Sequence, residues 1–166
     1  GGLRKVMPIT FWTMMISTLA ISGIFPFSGF FSKDEILMTA FHTNIPLWII
    51  GSIASIMTAF YMFRLMYLTF FNDFRGTEEQ KHHLHESPAL ITIPLIILGF
   101  LATVGGLISL PGNSWLNHYL APIFAQKAHG EHHLDGQAYM LMAIATVGAL
   151  VGIGIAYSKY LKKKEI

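Results

Sequence analysis

The chain has 166 residues, of which 53% are hydrophobic and only 12% are charged. Soluble globular domains carry about 25% charged residues, so this composition excludes an ordinary water-soluble domain. The net charge of +2 gives no indication of nucleic-acid binding, and the absence of cysteine excludes disulfide bonds.

Long segments without any charged residue divide the chain, at 6–32, 36–63, 87–126 and 136–158. A helix needs roughly 20 predominantly apolar residues to cross a hydrocarbon core of ~30 Å, and each segment can hold one such helix. The sequence therefore predicts an all-α polytopic membrane bundle with four crossings. Only short loops remain, which leaves no room for a soluble catalytic domain.

The first apolar segment is predicted to contain a broken helix. It begins at Pro8, because proline is favourable in a first helical turn. Pro26 lacks a backbone donor and clashes with the preceding turn, and Gly23 and Gly29 flank it. The first half should therefore cover 8–25.

A second half-helix is predicted to restart at Ser32. The sequence SKDE has the pattern of a capping box, in which Ser32 caps the helix and Glu35 reaches back to the backbone N–H of Ser32. This half should run over 32–43. The two halves together form one discontinuous helix.

The remaining helices are predicted at 46–71, 88–110 and 137–160, with polar loops at 72–87 and 111–136. Gly148 and Gly152 of the last helix have the small-xxx-small spacing that lets two helices approach closely.

Basic residues indicate the orientation of the bundle. With four crossings the N-terminus, the 72–87 loop and the C-terminus share one face, whereas the opposite face has only Lys127. The positive-inside bias therefore predicts that the basic face is cytoplasmic. Its basic residues are Arg4, Lys5, Arg75, Lys81, Lys159, Lys162, Lys163 and Lys164.

Lys33, Asp34 and Glu35 have two interpretations. If a single helix spans 8–30, they form a solvent-exposed helix cap at the membrane interface. If the helix is broken inside the membrane, the N-terminus of the second half-helix carries partial positive charge, which stabilises the two carboxylates. The carboxylates would then change the pKa of a buried Lys33. Ionisable residues inside membranes are functional by default, so the second interpretation makes Lys33 a functional residue whose charge its surroundings could switch.

Two further ionisable residues keep alternative interpretations. Histidine is a residue type that can relay protons, so His42 could do so, or it could simply lie at the interface. Arg64 could reach the cytoplasmic headgroups along its flexible stem, or it could form a buried ion pair.

Two histidine clusters do not indicate a metal site. Both fall in polar loops on opposite faces, and they lack the cysteine or helical framing of a zinc site. The clusters are His82, His83 and His85, and His129, His132 and His133.

Four motifs together resemble one family: GGLRKVMP, LAISGIFPFSGFFSKDEIL, TAFYMFRLMYLTFF, and HESP ahead of an apolar helix. They resemble the largest antiporter-like membrane subunit of respiratory complex I, the subunit 5 or L-type chain of NADH–quinone oxidoreductase. The match runs in order over most of the 166 residues. Residues 111–136 depart from it.

The resemblance implies that Lys33 lies at mid-depth in a series of ionisable residues that moves protons. It also implies that the chain is the C-terminal transmembrane portion of a longer subunit in a bacterial inner membrane, with the other membrane subunits and lipid as partners. NADH, flavin, iron–sulfur clusters and quinone would then belong to partner subunits, and this chain would hold no cofactor. The alternatives are a subunit of a Na⁺/H⁺ antiporter complex and a non-conducting membrane scaffold.

Overall fold

The computed structural model describes residues 1–110, 113–114, 119, 122–123 and 136–162. Helices dominate it: α1 Pro8–Ser22, α2 Ser28–Thr43, α3 Ile45–Phe70, α4 Glu78–His82, α5 Ala89–Val104 and α6 Gly136–Tyr157. The predicted histidine cluster at His129, His132 and His133 lies outside the described residues, as do Lys127, Lys163 and Lys164.

Short irregular elements accompany these helices. A 3-10 turn precedes α1, and another, Gly105–Ile108, continues α5. The two-residue strands Ser109–Leu110 and Asn113–Ser114 then pair antiparallel, so the third predicted helix ends before residue 110. A π-helical turn, Ser158–Lys162, extends α6.

Three helices are long and apolar enough to cross a membrane: Ile45–Phe70, Ala89–Leu107 and Ala138–Lys162. The 15 residues of α1 give a helix of only about 22 Å, which is shorter than the hydrocarbon core. The crossing that begins with α1 therefore needs α2 to complete it. The predicted all-α membrane fold with one discontinuous helix is confirmed.

The first half-helix stops at a left-handed glycine. α1 ends at Ser22, and Gly23 has φ 73°, a conformation that glycine adopts without steric cost. The Gly23 N–H donates to the Ala20 carbonyl and the Ile24 N–H donates to the Leu19 carbonyl, so the end of α1 is closed by backbone bonds. The helix ends three residues before the predicted residue 25.

The predicted restart at Ser32 is wrong. α2 begins at Ser28, with Phe27 as an extended N-cap residue that provides no side-chain cap. Ser32 lies inside the helix, where its hydroxyl donates to the Ser28 carbonyl at 3.4 Å. Glu35 is exposed in the second turn, too far along α2 to cap its start. The SKDE sequence is therefore helix interior, and neither Ser32 nor Glu35 is a cap.

Close packing against α1 explains why α2 begins early. A Cβ atom at Gly29 would overlap the Ala20 carbonyl oxygen. The first turn of α2 can therefore lie directly against the last turn of α1 only because residue 29 has no side chain.

The bundle is organised around α3, which packs against α1, α2 and α6. Phe11 of α1 packs with Met66 and Phe70 of α3 in one buried cluster. Phe63 and Tyr67 of α3 pack with α6 in a second. Because α3 presents separate faces to its neighbours, it fixes their relative positions.

Gly148 and Gly152 bring α6 against α3, as their spacing predicted. A Cβ at Gly152 would lie 2.7 Å from the Ile56 carbonyl oxygen, and one at Gly148 would lie 2.9 Å from Ile56 Cγ1. The two backbones therefore meet where no side chain separates them.

The starts of α1 and α5 and the ends of α3 and α6 meet at one end of the bundle. The Gly2 N–H donates to the Phe71 carbonyl at 2.9 Å, and Asn72 Nδ2 donates to the Tyr160 carbonyl at 3.2 Å. This part of the structure, which we name the basic end, carries the described residues Arg4, Lys5, Arg75, Lys81, Lys159 and Lys162.

Glu86 holds the start of α1 from the segment before α5. Met7, the N-cap residue of α1, provides no side-chain cap, so the first N–H groups of the helix need other partners. The Glu86 carboxylate accepts from Ile9 N at 2.7 Å, Thr10 N at 3.4 Å and Thr10 Oγ1 at 2.7 Å. It also accepts from Ser87 N at 3.1 Å. The carboxylate therefore ties α1 to α5 at the basic end.

We expect Gly152→Ala to destabilise the protein, since its Cβ would meet the α3 backbone rather than a movable side chain. Overpacking of this kind costs about 1–3 kcal/mol. Gly154→Ala is the matched control, because nothing lies within 4 Å of a Cβ there. Thermal unfolding of the two variants in detergent provides the measurement, and equal midpoints would contradict the packing described for α6.

We expect Glu86 to make stability depend on pH. Desolvation raises the pKa of the Glu86 carboxyl, but its hydrogen bonds with Thr10, Ile9 and Ser87 together outweigh this effect and hold the pKa below its ordinary value of 4.5. A lowered carboxyl pKa stabilises the folded state above the ordinary pKa, and the stabilisation disappears as pH falls through the folded-state pKa.

Glu86→Gln should therefore lower the unfolding midpoint at pH 7, and its difference from the parent protein should shrink as the pH falls below about 4.5. Glu79→Gln is the control, because Glu79 is exposed in α4, in the same connection between α3 and α5. A Glu86→Gln difference that is independent of pH would show that the charge of Glu86 contributes nothing.

Candidate functional site

Lys33 reaches back across the break to the end of α1. Its Nζ donates to the Ser22 carbonyl at 3.2 Å and approaches the Ile21 carbonyl at 3.5 Å. The last carbonyls of a helix lack intrahelical partners and carry the negative end of its dipole. The end of α1 is therefore a binding position for the Lys33 ammonium.

Gly23 leaves the space that this lysine occupies. A Cβ at residue 23 would lie 3.0 Å from Lys33 Cδ and 3.2 Å from Lys33 Nζ. Gly23 therefore ends α1 through its left-handed conformation and also lets the lysine lie along the helix end.

Lys33 lies between the outer ends of the two half-helices. Lys33 precedes the end of α2 by ten residues, about 15 Å of helix, and α1 extends about 22 Å in the other direction. The interpretation of these charges as a cap after a helix spanning 8–30 required an uninterrupted helix. That helix does not occur, because α1 ends at Ser22.

Asp34 is the carboxylate that accompanies Lys33 inside the bundle. Its side chain is 7% exposed, and its charge interacts with that of Lys33. A buried ammonium and a buried carboxylate offset part of each other's desolvation cost. Glu35 lies on the exposed side of α2, so Asp34 is better placed than Glu35 to tune Lys33.

A cavity of about 360 Å³ adjoins the lysine. Three elements bound it: the last turn of α1, the helix α2, and the first half of α3. It is open on one side, so it connects Lys33 with the space outside this chain. Its lining combines small and apolar residues with two polar side chains: Ala20, Ile21, Gly29, Ser32, Lys33, Ile36, Leu37 and Gly51.

His42 and Arg64 lie apart from this constellation. His42 is exposed in the last turn of α2 and packs edge-on against Phe41 at 5.6 Å between ring centroids. Arg64 is exposed, and its guanidinium lies 5.4 Å from the ring centroid of Tyr160. This stacking lies next to the basic end. It therefore favours the interpretation in which Arg64 extends toward that end, and it disfavours the interpretation as a buried ion pair.

Sequence reasoning did not identify three hydroxyl residues near the break. Thr18 and Ser22 are fully buried on α1, and Ser55 is 6% exposed on α3. The spacing of Thr18 and Ser22, four residues apart in an apolar helix, places both on one face. That spacing was the available signal.

His82, His83 and His85 are exposed around the end of α4. Within the described part of the chain, no group of three or more histidine, aspartate or glutamate residues is arranged to hold a metal ion.

Comparison with known proteins gives one consistent result. The family model described as "NADH:quinone oxidoreductase/Mrp antiporter, TM" matches residues 1–60, which include the break and Lys33. NAD(P)H-quinone oxidoreductase chain 5 of Picosynechococcus sp. is 43% identical over 186 aligned positions, covering 99% of this chain and 28% of that protein.

Two further relatives come from other lineages. The chloroplastic NAD(P)H-quinone oxidoreductase subunit 5 of Chara vulgaris is 40% identical, covering 96% of this chain and 25% of that protein. NADH-quinone oxidoreductase subunit L of Mycobacterium tuberculosis is 39% identical with the same coverage. The chain therefore spans about a quarter of the length of these relatives.

Proposed function

Because this chain is a relative of the antiporter-like chain 5 and subunit L proteins of NAD(P)H-quinone oxidoreductase, to which it is similar over nearly its whole length, we propose that it translocates protons through Lys33 as part of such a subunit. The relationship predicted from the sequence motifs is confirmed. The proton-carrying role of Lys33 is the proposal.

The observation that carries this proposal is the position of the Lys33 ammonium. It donates to the Ser22 carbonyl at the end of α1 and lies beside Asp34. Burial penalises the charged lysine, whereas the helix-end carbonyl and the carboxylate favour it. Because these opposing terms are both large in a low dielectric, a change of charge nearby can make the lysine bind or release a proton.

We place the redox chemistry in partner subunits. A chain without cysteine cannot ligate an iron–sulfur cluster through thiolates. NADH oxidation, flavin, iron–sulfur clusters and quinone reduction would belong to other subunits, whose membrane helices contact this chain. Their reaction would change the charge distribution to which Lys33 responds.

A Na⁺/H⁺ antiporter subunit is the competing function, because the description of the matching family includes the Mrp antiporter. The compared relatives are named as quinone oxidoreductases, which favours the redox-driven function. A non-conducting scaffold has no specific observation in its favour.

We expect Lys33→Ala, made in the complete complex, to lower NADH-driven proton uptake into inverted membrane vesicles several-fold, with the complex still assembled. Lys33→Arg should also impair uptake, since a guanidinium stays protonated at any working pH. Asp34→Asn should have a smaller effect, because it changes the surroundings of the carrier without removing it. Lys81→Ala is the control, since Lys81 is an exposed lysine whose ion pair is with Glu78.

Normal pumping by assembled Lys33→Ala complex would remove Lys33 from the proton path. Sodium-dependent proton movement without NADH would instead identify the antiporter function. Pumping that is insensitive to all three changes, in a complex that needs the chain for assembly, would identify a scaffold.

We propose further that the basic end faces the cytoplasm of a bacterium, because its basic residues follow the positive-inside bias. These 166 residues contain no cysteine, so labelling by an impermeant thiol reagent above that of the parent protein reports the introduced cysteine. Glu79→Cys at the basic end should react in inverted vesicles and not in intact cells. Thr43→Cys at the opposite end should show the reverse pattern, and exchanged patterns would reverse the orientation.

A further inference from the structure

Arg64 is a cation on the outer surface of an otherwise uncharged helix. Every other residue of α3, Ile45–Phe70, is uncharged, and Arg64 is exposed. Its guanidinium lies 5.4 Å from the ring centroid of Tyr160, in the π-helical turn that follows α6. A charge in apolar surroundings needs a counter-charge, and an aromatic ring offers only the partial negative charge of its face. The guanidinium can therefore still bind an anion.

The length of α3 places Arg64 at the boundary between the hydrocarbon core and the lipid headgroups. A core of ~30 Å accommodates about 20 helical residues, and such a segment that begins at Ile45 ends near Arg64. Aromatic residues are enriched at both boundaries of a membrane. Trp48 lies close to the first boundary, and Tyr61 and Tyr160 lie close to the second. The guanidinium is therefore at the depth where lipid phosphate groups begin.

An exposed apolar stripe on α3 leads from the membrane interior to this arginine. It consists of Ile53, Met57 and Tyr61, all of them exposed, and we name it the α3 stripe. Residues spaced by three or four share one face of a helix, so the same face continues to Arg64. The rise from Ile53 to Arg64 is about 16 Å, close to half the thickness of the hydrocarbon core. The stripe therefore matches the length of an acyl chain within one leaflet.

Two lysines add positive charge in the turn that carries Tyr160. Lys159 precedes Tyr160 and Lys162 follows it by two residues, and both are exposed. Asn72 Nδ2 donates to the Tyr160 carbonyl at 3.2 Å, which holds this turn against the end of α3. The two lysines and the arginine therefore lie at the same corner of the bundle, where α3 and α6 end.

Two carboxylates of the basic end are engaged elsewhere. Glu78 forms an ion pair with Lys81 at 3.4 Å, and the Glu86 carboxylate accepts from the backbone N–H of Ile9 at the start of α1. Within the described ranges, no aspartate or glutamate forms an ion pair with the three cations beside Tyr160. Their charge is therefore available to an anion from the membrane.

We propose that Arg64, with Lys159 and Lys162, binds the phosphate of an anionic phospholipid whose acyl chain lies along the α3 stripe. A guanidinium matches the geometry of phosphate oxygens and can donate two parallel hydrogen bonds to them. Basic pockets between transmembrane helices bind lipid head groups of this kind. A zwitterionic lipid would bring its own cation toward the lysines, and inorganic phosphate would lack the acyl contacts. This site does not depend on the proton-carrying role proposed for Lys33.

Photocrosslinking of the purified complex tests the site. The probe is a phosphatidylglycerol with a photoreactive diazirine in one acyl chain, and mass spectrometry of the peptides locates the label. We expect the α3 stripe to be labelled, with unlabelled phosphatidylglycerol competing several-fold better than phosphatidylcholine and inorganic phosphate not competing. Equal competition by the two lipids would show ordinary annular contact and would overturn the site.

Substitution tests the contribution of the cations. Arg64→Gln should lower the labelling of α3 several-fold, and Lys159→Gln combined with Lys162→Gln should lower it less, since these lysines add attraction from the surface. Lys81→Gln is the matched control, because it removes a charge from the same end of the bundle that is paired with Glu78. Both lysines are exposed, so their double variant tests the site even if Arg64→Gln prevents assembly. Labelling equal to that of the control in these variants would contradict the proposal.

Electron cryomicroscopy of the intact complex identifies the occupant of this corner. We expect density for a phosphate within hydrogen-bond distance of the Arg64 guanidinium, and density for an acyl chain on the α3 stripe. A carboxylate from a neighbouring helix at the phosphate position would overturn the lipid site and make this face a protein interface.

Discussion

The bond between the Lys33 ammonium and the Ser22 carbonyl, across the break between α1 and α2, is the interaction on which the site depends. It requires α1 to end where it does, since the last carbonyls of a helix lack intrahelical partners. It also requires α2 to begin at once, so that Lys33 can reach back. The break is therefore the means by which a cation is held inside an apolar bundle.

Close backbone approaches fix the surroundings of this bond. Gly29 lets α2 lie on the last turn of α1, Gly23 gives the lysine its space, and Gly152 brings α6 onto α3. Glu86 holds the other end of α1 through hydrogen bonds. Because α1 is constrained at both ends, the carbonyls at its C-terminus have a defined position relative to α2, which carries Lys33.

The success and failure of the sequence predictions have different physical origins. Gly23 and Pro26 predicted a break because their backbone preferences act locally and do not depend on neighbours. Ser32 and Glu35 matched a capping box, which is also a local pattern, yet α2 begins at Ser28. The contact of Gly29 with α1 is a tertiary contact, and it extends the helix through the residues that would otherwise have capped it.

The sequence by itself determined the membrane class, the number of apolar helices, the broken first crossing and the family, since these follow from composition, local backbone preferences and motifs. Only the tertiary structure decided which groups meet at the break. Asp34 and Glu35 are adjacent in sequence, but the packing of α2 buries one and exposes the other. Ser55 carries no sequence signal of its own, because its burial depends on how α3 packs against its neighbours, which no local pattern encodes.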